Sequence, residues 1–172
     1  MEWTFCSIDD DSVNRENFDC GVPELNEYLK KYARQNDRRG IAKTFVAISE
    51  DGNRDVYGYY SVGMAEIKRE SLPANYQRGI PRYPVPAMRL SRLAVALAMQ
   101  GRGLGEELLM ECFRKAVRLS SEVAIFAVIV DAKNQPVKEF YLKYGFIPLK
   151  DNELSVFIPI STITEFLENA SS

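Results

Sequence analysis

The stretch LSRLAVALAMQGRGLGEELLMECFRKAV, residues 90–117, sets Gly101, Gly103 and Gly105 between an apolar run and a segment whose apolar residues return with helical spacing. The run ending near Val95 reads as a strand, and Leu108, Leu109, Cys112, Phe113, Ala116 and Val117 follow helical spacing in a helix that starts near Gly103. So short a connection needs glycines where the backbone bends and where a ligand comes close. The first amides of the helix, around Arg102 to Glu106, lack an intrahelical acceptor and carry the positive end of the helix dipole. A phosphate or pyrophosphate is the natural guest of such a bend.

Spacing narrows which phosphate. The dinucleotide fingerprint G-x-G-x-x-G fails because Glu106 stands at the third glycine position, and the Walker pattern fails because Gly105 is followed by Glu106 and Glu107. The rest of the composition removes other classes. There is no histidine, and Cys6, Cys20 and Cys112 form no CxxC pair, so neither a zinc site nor a disulfide framework is signalled, and Ser-His or Cys-His nucleophiles are excluded. No metal is expected. With 172 residues, 46% hydrophobic and 27% charged, one domain over residues 1–172 is expected. The N-terminus lacks a signal-peptide pattern and no window is long and apolar enough for a membrane span, so the expectation is a cytoplasmic protein without a membrane.

The chain reads as mixed α/β. EWTFCSI predicts a first strand, and Leu25, Tyr28, Leu29 and Tyr32 predict a helix from Pro23 to Asn36. KTFVAISE and DVYGYYSVGMAEI, split by the turn signal DGN, predict a hairpin. Pro73, Pro81, Pro84 and Pro86 predict an irregular loop from Leu72 to Pro86. AMRLSRLAV and the buried-type run VAIFAVIV predict strands around the long helix, a last helix runs from Gln135 to Tyr144, and FIPLKD and LSVFIPI close the sheet.

Gln100-x-x-Gly103-x-Gly105 after a strand, followed downstream by VDAKNQPVKEFYLKYGF, resembles the GNAT superfamily of N-acetyltransferases. The resemblance implies an α+β fold with a mixed, mostly antiparallel central sheet, a V-shaped splay between two strands and flanking helices. It implies acetyl-CoA as cosubstrate, its pyrophosphate held by Gln100, Gly101, Arg102, Gly103, Leu104, Gly105 and Glu106, and its pantetheine arm by the backbone of Leu93, Ala94 and Val95. Asn134 and Tyr141 match positions that touch CoA, and the Tyr141 hydroxyl matches the group that reprotonates the departing thiolate. FDCGVPELNEYLKKYARQNDRRGIAKTFVAI, GYYSV, RLSRLAV, VDAK and FYLKYGF together resemble the acetyltransferase toxins of bacterial toxin-antitoxin pairs. That likeness implies a ribbon-helix-helix antitoxin as partner, a homodimer and, as acceptor, the α-amine of aminoacyl-tRNA.

The residues bear on the acceptor independently. Net charge is −2, yet Lys30, Arg34 and Arg38 recur every four residues as a basic stripe, and Arg89 and Arg92, with Arg78 and Arg82, flank the proline loop beside Tyr76 and Tyr83. Either a tRNA footprint or a solvated surface fits this pattern. An amine must be neutral to attack a thioester, which takes roughly 4–5 kcal/mol for a lysine-like amine at pH 7 and about 1 for an α-amine. A chain without histidine therefore suits α-amines, with Glu66 the carboxylate to inspect as a base. The alternatives are a small-molecule or peptide amine as acceptor, or a non-catalytic CoA-binding or repressor-complex subunit.

Overall fold

The structure, a computed structural model, describes residues 3–170. Its strands are β1 (Trp3–Ser7), β2 (Lys43–Ser49), β3 (Val56–Ile67), β4 (Val85–Val95), β5 (Ala127–Asp131), β6 (Ile147–Pro148) and β7 (Ser155–Pro159). Its α-helices are α1 (Pro23–Glu27), α2 (Ala33–Arg38), α3 (Ala74–Gln77), α4 (Leu104–Ser120), α5 (Gln135–Leu142) and α6 (Ile160–Ala170). The strands hydrogen-bond in the order β1-β2-β3-β4-β5-β7-β6. β1–β2, β2–β3, β5–β7 and β6–β7 are antiparallel, and β4–β5 is parallel. The β4–β5 register covers only Ala87–Arg89 opposite Ala127–Ile129, although β4 runs on to Val95. Two compact units share these elements, one of residues 1–63 and 91–112, the other of residues 64–90 and 113–172.

In the first unit, Ile8, Phe18, Leu29, Ala33, Val46, Ile48, Tyr59 and Ala94 form the core. β2 and β3 pair with a one-residue irregularity, since Ala47 faces Gly58 but Ile48 faces Val56, leaving Tyr57 as the extra residue of a bulge. Gly58 is obligatory there: a Cβ on it would lie 2.9 Å from the Ala94 carbonyl oxygen, 3.0 Å from Leu108 and 3.1 Å from Leu104. The helix expected from Pro23 to Asn36 is one continuous element of three parts. Between α1 and α2 lies a π-turn, Tyr28–Tyr32, in which the Ala33 amide reaches back five residues to the Tyr28 carbonyl. The Leu29 carbonyl takes the guanidinium of Arg15 instead, at 2.9 Å.

In the second unit, Ile67, Leu72, Val85, Ala87, Ala127, Ile129, Leu149 and Phe157 pack together, with Tyr76 edge-on to Phe157 at 5.4 Å. The proline-rich segment is more ordered than expected: Pro73 caps α3, and β4 already begins at Val85, with the Pro86 carbonyl accepting from Phe126. A proline lacks the amide but keeps its carbonyl, so it can sit near the start of a strand. Three expected spans shrink. VAIFAVIV is strand only from Ala127, α5 stops at Leu142, and FIPLKD contributes only Ile147–Pro148. α6, with Ile163 fully buried, was not anticipated, and Glu2 of the first expected strand lies outside the described residues. No helix among the described residues is long and apolar enough to cross a membrane.

Candidate active site

The glycine bend forms as its residues require. Gly101 and Gly103 have φ of +80° and +86°, the left-handed region that other residues enter at a cost, and both are exposed with open space where a Cβ would stand. The Glu107 amide bonds the Gly103 carbonyl, so the amides of Leu104, Gly105 and Glu106 are those of the first turn of α4, ahead of the intrahelical i→i−4 pattern. Leu104 itself is buried and anchors the helix, while Arg102 and Glu106 are exposed. The space, the amides and the exposure fit a pyrophosphate.

Gln100 is also tied into the protein through its side chain. Its side-chain amide donates to the Val95 carbonyl at 3.0 Å and to the Cys20 carbonyl at 3.3 Å. It therefore braces the bend against the end of β4 and against the segment before α1, with its donors spent on protein. The Ala96 amide donates to Tyr57 and the Leu97 amide to Asp19, both at 2.8 Å. These bonds fix the strand end that carries Leu93, Ala94 and Val95; Ala94 is buried and the other two are partly exposed.

The segment FYLKYGF resolves into a helix cap. The Gly145 amide bonds Leu142, the Phe146 amide bonds Tyr141, and Gly145 has φ +93°, which together make a Schellman motif. The hydrophobic contact that accompanies this motif is the Tyr141–Phe146 ring pair, 5.2 Å between centroids, and Phe140 stands edge-on to Tyr141 at 5.2 Å. Tyr141 is thus buried and held by aromatic neighbours, the condition for a hydroxyl aimed in one direction. At the other end of α5, Asn134 is the N-cap: its Oδ1 accepts from the Val137 amide at 3.0 Å. That oxygen serves the helix start, and the side-chain Nδ2 is the atom the cap leaves for a ligand.

The arginines of the basic stripe have partners within the chain. Arg34 donates from Nε to the Ile8 carbonyl at 3.0 Å and from Nη2 to the Asp10 carbonyl at 3.3 Å. Arg38 pairs with Asp9 at 2.6 Å and Asp11 at 3.6 Å, and Arg89 pairs with Asp131, which also accepts from Ser155 at 2.6 Å. Periodicity revealed the charges but not the acids, because Asp9, Asp10 and Asp11 come from a distant loop. Lys30 remains exposed and lines an open cavity of about 400 Å³ with Arg15, Glu16 and Arg34. Burial, then repulsion from Arg34 and Arg38, lowers the pKa of Arg15.

Arg92 differs from these. Its guanidinium lies 3.5 Å from the centre of the Tyr28 ring. Glu66 is exposed on β3 and lines a second cavity, about 230 Å³, with Lys68, Ser71, Ile129 and Asp151. Sequence reasoning missed Gly58, Arg15 and Asp131. A glycine inside a strand pattern was the one available signal, for Gly58.

The chain matches the model of the acetyltransferase (GNAT) family over residues 12–146. It is 34% identical over 136 residues to a tRNA-acetylating toxin of Mycobacterium tuberculosis, spanning 79% of this chain and 80% of that protein. A solved tyrosine-to-phenylalanine mutant of KacT aligns with TM-score 0.92 and 31% identity over 96% of this chain and 99% of the other. AtaT complexed with acetyl-methionyl-tRNAfMet aligns with TM-score 0.91 and 30% identity over 96% and 99%. AtaTR bound with acetyl-CoA aligns at 0.85 with 30% identity, over 96% and 98%. A mutant AtaT toxin bound to the C-terminus of the antitoxin AtaR aligns at 0.83 with 27% identity, over 96% and 98%.

Proposed function

The chain belongs to the acetyltransferase (GNAT) family, and we propose that it transfers acetyl from acetyl-CoA to the α-amine of an aminoacyl-tRNA, acting as a translation-blocking toxin. The observation that carries this reading is the bend at Gly101 and Gly103, open to solvent and followed directly by the first turn of α4. Acetyl-CoA supplies an activated thioester. The amides of Leu104, Gly105 and Glu106 bind its pyrophosphate, and the backbone of Leu93 and Val95, beyond the end of the β4–β5 register, bonds the pantetheine arm. Rate comes mainly from placing amine and carbonyl carbon in contact, with a backbone amide near Val95 polarising the carbonyl. Tyr141 holds the proton that the sulfur takes on leaving.

The whole chain acts in this reading as one catalytic domain in the cytoplasm, as a homodimer neutralised by a ribbon-helix-helix antitoxin. The toxin named with AtaR supports the antitoxin as a partner class. Expression in a bacterium tests the reading: growth should stop with the wild type and continue with Tyr141→Phe, and unimpeded growth with both proteins expressed and folded would contradict it. A second reading, a small-molecule amine as acceptor, draws on Arg34, Arg38 and Arg89, whose donors go to protein rather than to a nucleic acid. Transfer to free amines but not to aminoacyl-tRNA would favour it.

A further inference from the structure

Most arginines of the first unit spend their donors on the chain itself. Arg15 bonds the Leu29 carbonyl, Arg34 the carbonyls of Ile8 and Asp10, Arg38 the carboxylates of Asp9 and Asp11, and Arg54 that of Asp10. Arg92 is built differently. It is partly exposed, its guanidinium covers the Tyr28 ring at 3.5 Å, and among the described residues it has neither a carboxylate nor a carbonyl partner.

Tyr28 is a firm base for it. The ring is 6% exposed, belongs to the core beneath β4 and opens the π-turn, and the Asn36 side-chain amide donates to its hydroxyl at 3.3 Å. Stacking covers one face of a guanidinium and leaves its in-plane N–H groups at the rim, where they match two oxygens of one anion. The stack also settles the long side chain before any ligand arrives, which removes part of the entropy cost of binding. An arginine held this way and left without an anion is prepared for one. It directly precedes Leu93 in β4, so in the reading that gives the Leu93 backbone to the pantetheine arm an anion held by Arg92 lies toward the acceptor's reacting end.

We propose that Arg92, positioned by Tyr28, grips a phosphodiester of the single-stranded 3′ end of the acceptor RNA. This rests on the aminoacyl-tRNA reading for the choice of anion, because an aminoacyl ester has no free carboxylate and its nearest negative charges are phosphodiesters. Arg92 is then the recognition residue and Tyr28 the positioning residue.

The test is equilibrium binding of an uncharged acceptor-stem RNA hairpin ending in single-stranded CCA, titrated across a range of salt. Arg92→Met should weaken binding and reduce the slope of log affinity against log salt by about 0.7, the share of one single-strand phosphate contact. Arg92→Lys and Tyr28→Leu keep the charge, so they should retain the slope while losing affinity severalfold, and Tyr28→Phe should restore it. Acetyl-CoA affinity reports folding in every variant. An unchanged slope in folded Arg92→Met, or full affinity in Tyr28→Leu, would overturn the proposal. The two readings fail separately. Wild type that cannot acetylate aminoacyl-tRNA yet shows the Arg92-dependent slope retains this contact and loses the catalytic reading, and transfer with an Arg92-independent slope does the reverse.

Discussion

The side-chain amide of Gln100 donates to the Val95 carbonyl at 3.0 Å, so the residue that opens the glycine bend is tied to the last residue of β4. The same amide holds the Cys20 carbonyl at 3.3 Å. Gln100→Ala removes both bonds, each worth about 0.5–1.5 kcal/mol. The expected outcome is a modest fall in Tm and a weakening of acetyl-CoA binding by about tenfold, read by calorimetry. Unaltered affinity would mean that the bend holds its shape without the brace.

Gly58→Ala tests the packing that carries the site. The added carbon would stand 2.9 Å from a backbone oxygen, that of Ala94, with Leu108 and Leu104 closing the other sides at 3.0 and 3.1 Å. Overpacking of this kind costs about 1–3 kcal/mol, so the denaturation midpoint should fall clearly with no change of m-value. A midpoint equal to wild type would show that β3 and β4 can part at no cost.

Tyr141→Phe keeps the ring pairs with Phe140 and Phe146 and removes only the hydroxyl. Loss of a positioned proton donor costs about 10²–10⁴-fold in turnover, and acetyl-CoA affinity should stay within about twofold. Steady-state kinetics decide it. Equal kcat in the two proteins would leave Tyr141 as a packing residue of the α5 cap.

Acid should loosen the turn before α1. The carboxyl of Asp19 is held below its usual range by the Gly21 amide and then by the Asn26 side chain, bonds of 2.9 and 3.0 Å. A depressed folded pKa stabilises the protein above the unfolded value, about 3.9, and that stability is lost as pH falls through the folded value. Tm should therefore drop below about pH 4, less steeply in Asp19→Ala. Identical slopes would remove Asp19 from the account.

What could be read in the sequence was what local pattern encodes. The α4 stripe from Leu104 to Ala116 is buried as its spacing requires, and the glycines at 101 and 103 take the left-handed angles that made them conspicuous. The π-turn was hidden because Leu25, Tyr28, Leu29 and Tyr32 fit an ordinary helix, and one inserted residue leaves no trace in four positions; Tyr32 accordingly comes out 45% exposed. α6 was hidden because its first residue, Ile160, continues the apolar run of β7. The fates of Arg34, Arg38 and Arg89 depend on partners far along the chain, at Asp9 to Asp11 and Asp131, which periodicity does not see. Arg92 could be read as a basic residue, but its place on Tyr28 could not.

The central claim is transfer of acetyl to the α-amine of aminoacyl-tRNA. The direct measurement incubates the protein with acetyl-CoA and a charged tRNA pool, digests the RNA with nuclease and weighs the released aminoacyl-adenosines by mass spectrometry. Addition of one acetyl group to the aminoacyl portion of at least one species, formed about 10²–10⁴-fold more slowly by Tyr141→Phe and absent on uncharged tRNA, is the expected result. An unmodified pool alongside acetylation of free amines by the same preparation would contradict the claim.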